Sequence, residues 1–328
     1  MKRFEWADAK SVEQAITLLD DGAQLKAGGV DLIDLMKENV AQPKRVVNIR
    51  NVDGLDSIER DDKGGVRIGA LVTLATLDSD EQIRRDFTAL ADAAGHAATP
   101  QVRNMATIGG NLLQRPRCWY FRNEHFPCRK KGGEICYAID GENQYHAIFD
   151  NSTCAIVHPS AAGVALVAMN ASIELVGGDG ARTVRLEEFF TPPEVDVRRE
   201  NSLRENEVLT QIQIPALPAG ARSAYIKQGE KESFDWPVAE VAVVLSRDGE
   251  VCREVSIVLG AAAPVPRRAR EAEDALRGKR VDATTARDAA RAALRGATPL
   301  AMNHYKLPIF EAIITRTILA AAGEVESA

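Results

Sequence analysis

Apolar residues recur at helical spacing in Val12, Ala15, Ile16 and Leu19, directly behind Ser11-Val12-Glu13-Gln14. A serine followed three places later by glutamine reads as a capping box, so a helix is predicted here, ended by Gly22. A short strand over 24–27, the pair Gly28-Gly29 and a helix over 31–38 follow, and the runs at 45–49 and 66–70 read as strands. Leu90, Ala91 and Ala94 share one face of a helix predicted over 87–97. After a long interruption the apolar pattern returns as a helix over 162–169 and strands over 172–176 and 208–214. Pro215-Ala216-Leu217-Pro218-Ala219-Gly220 then marks a domain boundary. Beyond it the pattern predicts strands over 223–228, 238–245 and 251–260, the last two joined as a hairpin through Asp248-Gly249. Helices are predicted over 269–277, 284–294 and 308–322.

The interruption, from about 114 to 152, is rich in Arg, Lys, Gly, Asn and aromatics and has no sustained period. Such a stretch inside a compact domain is uncommon and usually functional when ordered. It reads as a small inserted module held by something other than apolar burial. Three of the five cysteines fall here and a fourth just beyond, spaced Cys118-x9-Cys128-x7-Cys136-x17-Cys154, while Cys252 lies on a predicted strand and reads as a small buried residue. No C-x2–4-C pair of the usual zinc type is present, and no ferredoxin run with two-residue gaps. Spacing alone leaves an iron–sulfur cluster, an unusual zinc site and free thiols open. Arg115, Arg117, Arg122, Arg129, Lys130 and Lys131 crowd the same module. They read either as an offset to four thiolate charges or as solvated loop surface.

Composition narrows the classes. The 328 residues suggest two domains, and 45% apolar with 27% charged residues are ordinary globular values. Lys+Arg 41 against Asp+Glu 47 gives a net charge of −6, with no basic face for nucleic acid; Arg129-Lys130-Lys131 and Arg267-Arg268 are short basic knots. No apolar run approaches the ~20 residues of a membrane span. The start, MKRFEWADAK, has no apolar h-region, so the sequence by itself predicts a cytoplasmic protein. A periplasmic location would require export with a signal-bearing partner. The histidines His96, His125, His146, His158 and His304 carry no catalytic signature, though His146 and His158 bracket the cysteine segment as candidate donors to a sulfur.

Two glycine pairs precede helix-like residues: Ala27-Gly28-Gly29-Val30-Asp31-Leu32 and Ala106-Thr107-Ile108-Gly109-Gly110-Asn111-Leu112-Leu113. Glycine lets a backbone approach a ligand and turn through positive φ, so that consecutive N–H groups converge on an anion, and a following helix adds a favourable dipole. Neither segment is a G-x-G-x-x-G or G-x-x-x-x-G-K-[ST] loop. Lys26 to Leu32 and Arg103-Asn104-Met105-Ala106-Thr107-Ile108-Gly109-Gly110-Asn111 resemble the paired FAD loops of the flavoprotein (medium) subunits of the molybdenum hydroxylase, or xanthine dehydrogenase, family. The second is similar to that family's R-N-x-A-T-I-G-G-N pattern. Val208 to Pro215, Tyr225-Ile226-Lys227-Gln228, Ser233-Phe234-Asp235-Trp236-Pro237 and Asn303-His304-Tyr305-Lys306 extend the resemblance over nearly the whole chain.

The resemblance implies that Lys26, Ala27, Gly28, Gly29, Val30, Asp31 and Leu32, with Thr107, Ile108, Gly109, Gly110 and Asn111, hold the FAD pyrophosphate and ribityl chain. Leu209 and Lys227 match positions that contact the flavin. His158-Pro159-Ser160-Ala161 resembles a family stretch ending in Asp, which makes Ser160 a further candidate; Ala161 here, and Val30 where the family usually has Thr, remove polar contacts. Asp235-Trp236-Pro237 reads as a strand entrance or as a loop at the flavin edge.

Most family members lack the cysteine insert. This one resembles the insert of 4-hydroxybenzoyl-CoA reductase and of the periplasmic-type bacterial aldehyde oxidoreductase, which implies a [4Fe–4S] cluster on Cys118, Cys128, Cys136 and Cys154. The implied fold is α+β: a two-subdomain, PCMH-type FAD-binding domain over 1–217, with the iron–sulfur insert at 114–155, and a smaller α+β domain over 222–325. The implied role is an electron-transfer subunit, with substrate oxidation on a molybdenum-cofactor large subunit. Electrons would arrive from [2Fe–2S] clusters on a small subunit and leave to an external acceptor such as ferredoxin, NAD, a quinone or oxygen. No molybdenum-ligand motif and no catalytic acid/base pair is evident in the chain itself. Two alternatives remain: inward electron flow in a 4-hydroxybenzoyl-CoA reductase-like enzyme, and a flavin-free, zinc-bound assembly scaffold.

Overall fold

The computed structural model describes residues 1–231 and 233–324, so Val325, the expected end of the second domain, lies outside the described residues. The chain opens with β1 (Glu5–Asp8), α1 (Val12–Leu18), β2 (Ala23–Lys26), α2 (Val30–Lys37) and β3 (Arg45–Asn48). These strands make a parallel sheet in the order β1-β3-β2. The Ser11 hydroxyl accepts from Gln14 N, and the Gln14 side chain accepts from Lys10 N, one residue before the expected capping-box partner. The strand β1 escaped sequence reading, as only four residues long and largely exposed.

A second, antiparallel sheet follows, in the order β4 (Ile58–Arg60), β5 (Val66–Gly69), β8 (Glu207–Ile214), β6 (Ser172–Gly177) and β7 (Gly180–Arg185). It begins with β4 (Ile58–Arg60), β5 (Val66–Gly69) and the helices α3 (Leu74–Ser79), α4 (Glu81–Asp86), α5 (Thr88–Gly95), α6 (Pro100–Arg103) and α7 (Ile108–Leu113). Next comes the cysteine module, which holds α8 (Trp119–Arg122), a 3-10 turn at Arg129–Lys131 and α9 (Tyr137–Asp140). The layer closes with α10 (Ala161–Ala168), β6 (Ser172–Gly177), β7 (Gly180–Arg185), α11 (Leu186–Phe189) and β8 (Glu207–Ile214). The expected helix over 87–97 starts later, because Phe87 ends α4 and enters the core. All eight residues of α10 are buried, and this Ala/Gly/Val helix packs α5 and α7 on one side and the third sheet on the other.

The third layer is β9 (Arg222–Gln228), β10 (Ala239–Asp248), β11 (Val251–Gly260) and β12 (Arg267–Arg268), antiparallel in the order β12-β11-β10-β9. The hairpin turns at Gly249, where φ is +58°. Helices α12 (Arg270–Leu276), α13 (Ala283–Ala293) and α14 (Lys306–Ala322) cover one face, with Phe310, Ile314 and Ile318 packed among Val241, Val243, Ile257 and Leu259. Proline at 308 sits in the first turn of α14, where its missing N–H breaks no helical bond.

Two ionisable groups are buried at this layer's edge. Lys306 Nζ donates to the carbonyls of His146 (3.0 Å) and Ala261 (2.5 Å), and burial pushes its pKa down to about 7. Glu240 accepts the Tyr225 hydroxyl, has its other oxygen unpartnered, and is pushed by burial up to about 7. A carboxyl raised from an ordinary 4.5 to about 7 holds a proton in the fold that the unfolded chain has lost. Its contribution is present below about 4.5 and is lost as pH rises through about 7. We therefore expect the stability of wild type relative to E240Q, read from urea midpoints, to fall by up to about 3 kcal/mol across that window, while His146 and His158, whose pKa values burial lowers, add a rise with pH common to both proteins. E240Q alone should show only that shared rise. An unchanged slope in E240Q would assign the titration to another group.

Candidate flavin seat and cysteine module

Helix α2 starts at Gly29, whose φ of +79° is reached readily only by glycine. A Cβ on Gly28 would lie 1.9 Å from the Met105 carbonyl oxygen, so the first glycine loop rests backbone to backbone on the second. The second loop is fixed from behind: Ile108 N donates to Val72 O and Gly109 N to Ala70 O, while Thr107 Oγ1 caps α7 by accepting from Gly110 N at 3.1 Å. Asn111 Oδ1 accepts from the Ser160 hydroxyl at 2.7 Å, and that hydroxyl also caps α10 through Gly163 N. Beside the loops Val30, Ile33 and Met105 are 41%, 38% and 40% exposed, an uncovered apolar border to the first turn of α2, where helical N–H groups have no partner within the helix. Lys26 Nζ lies 3.2 Å from Asn48 Oδ1 and above the Trp6 ring, with its pKa lowered by burial.

The structure thus brings residues 26–32 and 107–111 together and ties Ser160 to them through Asn111. Leu209 is buried in β8, within the apolar core that also contains Ile108. Lys227, on β9, donates to the His96 carbonyl at 2.9 Å, which joins the third layer to the end of α5; burial lowers its pKa. These loops suit a dinucleotide: close backbone contact, positive φ and an exposed apolar rim.

Cys118, Cys128, Cys136 and Cys154 line one cavity, together with Phe121, Tyr137, Lys130 and His146. Cys118, Cys128 and Cys136 each precede a single helical turn. Burial pushes the Cys118 thiol up to about 11, against N–H groups of Phe121 and Tyr120 that favour its thiolate. Cys136 falls to about 6, chiefly through its hydrogen bond with Cys154, whose own pKa is driven far up by the same bond. His146 Nε2 stands 3.2 Å from Cys118 Sγ, while Nδ1 is buried without a partner. Burial lowers the His146 pKa to about 4, so the ring is neutral near pH 7. His158 turns instead to Ser160 N and the Phe190 ring. All five cysteines are free thiols, and among the described residues no group of three or more His, Cys, Asp or Glu is gathered to hold a single metal ion. The donor set is four thiols facing one cavity with backbone N–H groups aimed at sulfur, which is chemistry that suits thiolate-bound iron.

The basic residues of the module have a use that sequence reading did not foresee. Lys130 is buried against Glu200 at 2.7 Å, and Arg115 holds the same carboxylate with two nitrogens. Arg129 donates to the carbonyls of Glu134 and Thr153, and Lys131 to that of Tyr120. Most of their hydrogen-bonding capacity is spent fastening the module, though Lys130 and Lys131 also favour the charged forms of nearby thiols. Glu200 gave no sequence signal, because it stands alone in a loop, 85 positions from Arg115.

Comparison with known proteins decides the family. Residues 2–217 match the FAD binding domain in molybdopterin dehydrogenase. The chain belongs to the molybdopterin dehydrogenase FAD-binding family. Residues 224–321 match the CO dehydrogenase flavoprotein C-terminal domain. The chain is 37% identical over 231 residues to the aldehyde oxidoreductase FAD-binding subunit PaoB of Escherichia coli (strain K12), covering 70% of this chain and 72% of that one. It is 28% identical to the nicotine 6-hydroxylase medium subunit of Paenarthrobacter nicotinovorans over 98% of both chains. A solved carbon monoxide dehydrogenase structure from Hydrogenophaga pseudoflava superposes with a TM-score of 0.77 at 30% identity, covering 98% of each chain. As a family member, this protein is an oxidoreductase flavoprotein subunit of the molybdenum hydroxylase type, with an FAD-binding domain and a C-terminal domain of mixed helix and sheet.

Proposed function

We propose that this chain is the electron-transfer subunit of a heteromeric molybdenum hydroxylase with aldehyde oxidoreductase-like organisation. It would stand between the [2Fe–2S] clusters of a small partner subunit and an external acceptor, with substrate chemistry on a molybdenum-bearing large subunit. The observation that carries the flavin part is the contact of Gly28 with the Met105 carbonyl, which makes one surface out of two glycine loops. The likeness to PaoB, named as an aldehyde oxidoreductase subunit, and to proteins named as medium subunits supports a multi-subunit assembly. Bound FAD supplies the exchange between single electrons and pairs. The chain's part is to hold it: residues 26–32 offer backbone N–H groups, residues 107–111, fixed from behind, form the wall they rest on, Ser160 orients Asn111, and Lys227 anchors the third layer over the first domain. In this reading residues 1–217 form the flavin domain, 114–155 the insert and 222–325 the closing domain.

We further assign a [4Fe–4S] cluster to Cys118, Cys128, Cys136 and Cys154, on the strength of four thiols facing one cavity. The test is a visible spectrum with iron, zinc and sulfide analysis on anaerobically purified protein. Flavin bands with about four irons and four sulfides per chain are expected. A colourless, zinc-loaded chain would overturn the electron-transfer reading, and flavin without iron would overturn the cluster alone. An iron-bound thiolate sulfur accepts hydrogen bonds only, so with the cluster in place His146 Nε2 would be the donor toward Cys118. Hydrogen bonds to sulfur stabilise the reduced, more negative cluster. Reductive titration of His146→Phe followed by electron paramagnetic resonance should therefore give a lower midpoint potential at unchanged iron content. An unchanged potential would remove this role from His146.

A further inference from the structure

Asp31 belongs to the first glycine loop by sequence, yet its carboxylate faces the cysteine module. One oxygen accepts from Arg115 N at 2.8 Å; the other accepts from Arg117 Nη1 at 2.5 Å and Arg122 Nη2 at 2.7 Å. The Asp31 side chain is 17% exposed and that of Arg122 8%. Arg122 also donates to the Pro116 carbonyl and reaches Asp34 and Glu38 further along α2. Beneath these charges Leu35 of α2 packs against Phe121 and Cys128. The second loop leads to the same place. Gln114 ends α7, receives Arg117 Nη2 at 2.9 Å and is followed directly by Arg115. Each glycine loop is therefore one short helix away from the module, and Asp31 receives donors from three of the module's residues.

The backbone N–H of Asp31 lies in the first turn of α2, where helical N–H groups have no partner within the helix. An anion on the loop orders that turn, and the carboxylate on the same residue passes the ordering to Arg115, Arg117 and Arg122. We propose that Asp31 is a positioning residue that couples the two seats: FAD on the glycine loops tightens the cysteine module, and metal on the thiols strengthens FAD binding by the same factor, as linkage requires. The inference rests on the proposed flavin seat; the metal enters only its second half.

The test uses the full-length chain stripped of flavin and metal, with FAD itself as the probe and amide hydrogen exchange as the readout. In wild type, FAD should slow exchange in segment 26–37 and, by about fivefold or more, in segment 117–133 as well. In Asp31→Asn the slowing should be lost in 117–133. Arg122→Gln leaves the glycine loop's sequence intact and should keep the slowing in 26–37 while losing it in 117–133. Retention of the wild-type response in both variants would overturn the coupling, as would FAD-dependent slowing in wild type confined to 26–37. If FAD fails to bind wild type, the flavin seat falls and the coupling with it. In the second half, the FAD dissociation constant of the iron-loaded chain should be at least about fivefold below that of the stripped chain, with a ratio near one in Arg122→Gln. A wild-type ratio near one overturns reciprocity. A chain that takes up no iron overturns the cluster assignment, while the exchange experiment still decides the coupling.

Discussion

Gly28→Ala is expected to yield a folded chain that purifies with little or no flavin. The added Cβ would sit 1.9 Å from the Met105 carbonyl oxygen and 2.8 Å from its carbon, both backbone atoms. Met105 cannot easily withdraw. Its N–H and that of Ala106 are bound to the Val102 carbonyl, Ala106 O accepts from Leu74 N, and Thr107 pairs with Thr73. The first loop must move instead, and with it the positive-φ turn at Gly29 and the start of α2. Overpacking of this kind costs about 1–3 kcal/mol. Charged to the flavin-binding conformation, that is roughly a ten- to hundredfold loss of affinity. Gly178→Ala is the control: nothing lies within 4 Å of its Cβ position, and wild-type flavin content is expected. Flavin per chain after gel filtration reads the result, with the thermal midpoint showing that the fold survives. A Gly28→Ala protein with full flavin would show that the meeting of the two loops is not what holds the cofactor.

The same contact shows what sequence could and could not supply. The glycine pairs are visible as permissive backbone, and the third layer's hairpin is marked by its two apolar strands and the Asp248-Gly249 turn. Elements that depend on neighbours were not visible. The strand β7 reads Gly-Ala-Arg-Thr-Val-Arg and is half polar because it lies at the sheet edge, and α3 and α4 are six-residue helices too short to show a period. Charge partners were the largest gap. Arg122 reads in the sequence either as an offset to thiolate charge or as solvated loop surface, yet its side chain is buried and its carboxylate Asp31 stands 91 positions earlier. Pattern reading sees spacing along one element, whereas this ion pair exists only after two elements dock. For the same reason the sequence places Asp31 only in the cofactor loop, and Lys306 only in a segment that matches the family. Its burial depends on carbonyls of His146 and Ala261, far from it in sequence.

Cys154→Ser is expected to lower iron from about four per chain to three or fewer, with flavin still bound at saturating FAD but with the roughly fivefold weaker affinity of the metal-free chain. Cys154 is the most remote of the four in sequence and is buried beside Cys136, with the Ile156 N–H favouring its thiolate. A serine hydroxyl is a harder ligand with a far higher pKa, so it holds iron poorly where thiolate is needed. It still fits the space and accepts the same N–H, so the fold should survive the change. The flavin loops meet the module chiefly through Asp31 and Gln114 at its other end, and reach this end only at Pro159 and Ser160, beyond the cysteine. Cys252→Ser provides the opposite case. Cys252 is buried on β11 in the C-terminal core, and its N–H donates to the Lys279 carbonyl. Serine there buries a hydroxyl, costing about 1–3 kcal/mol of stability, without removing iron. Iron, sulfide and flavin counts on both variants, prepared anaerobically, separate the two roles. Full iron in Cys154→Ser, or iron lost from Cys252→Ser, would break the assignment of the four-thiol cavity as the cluster site.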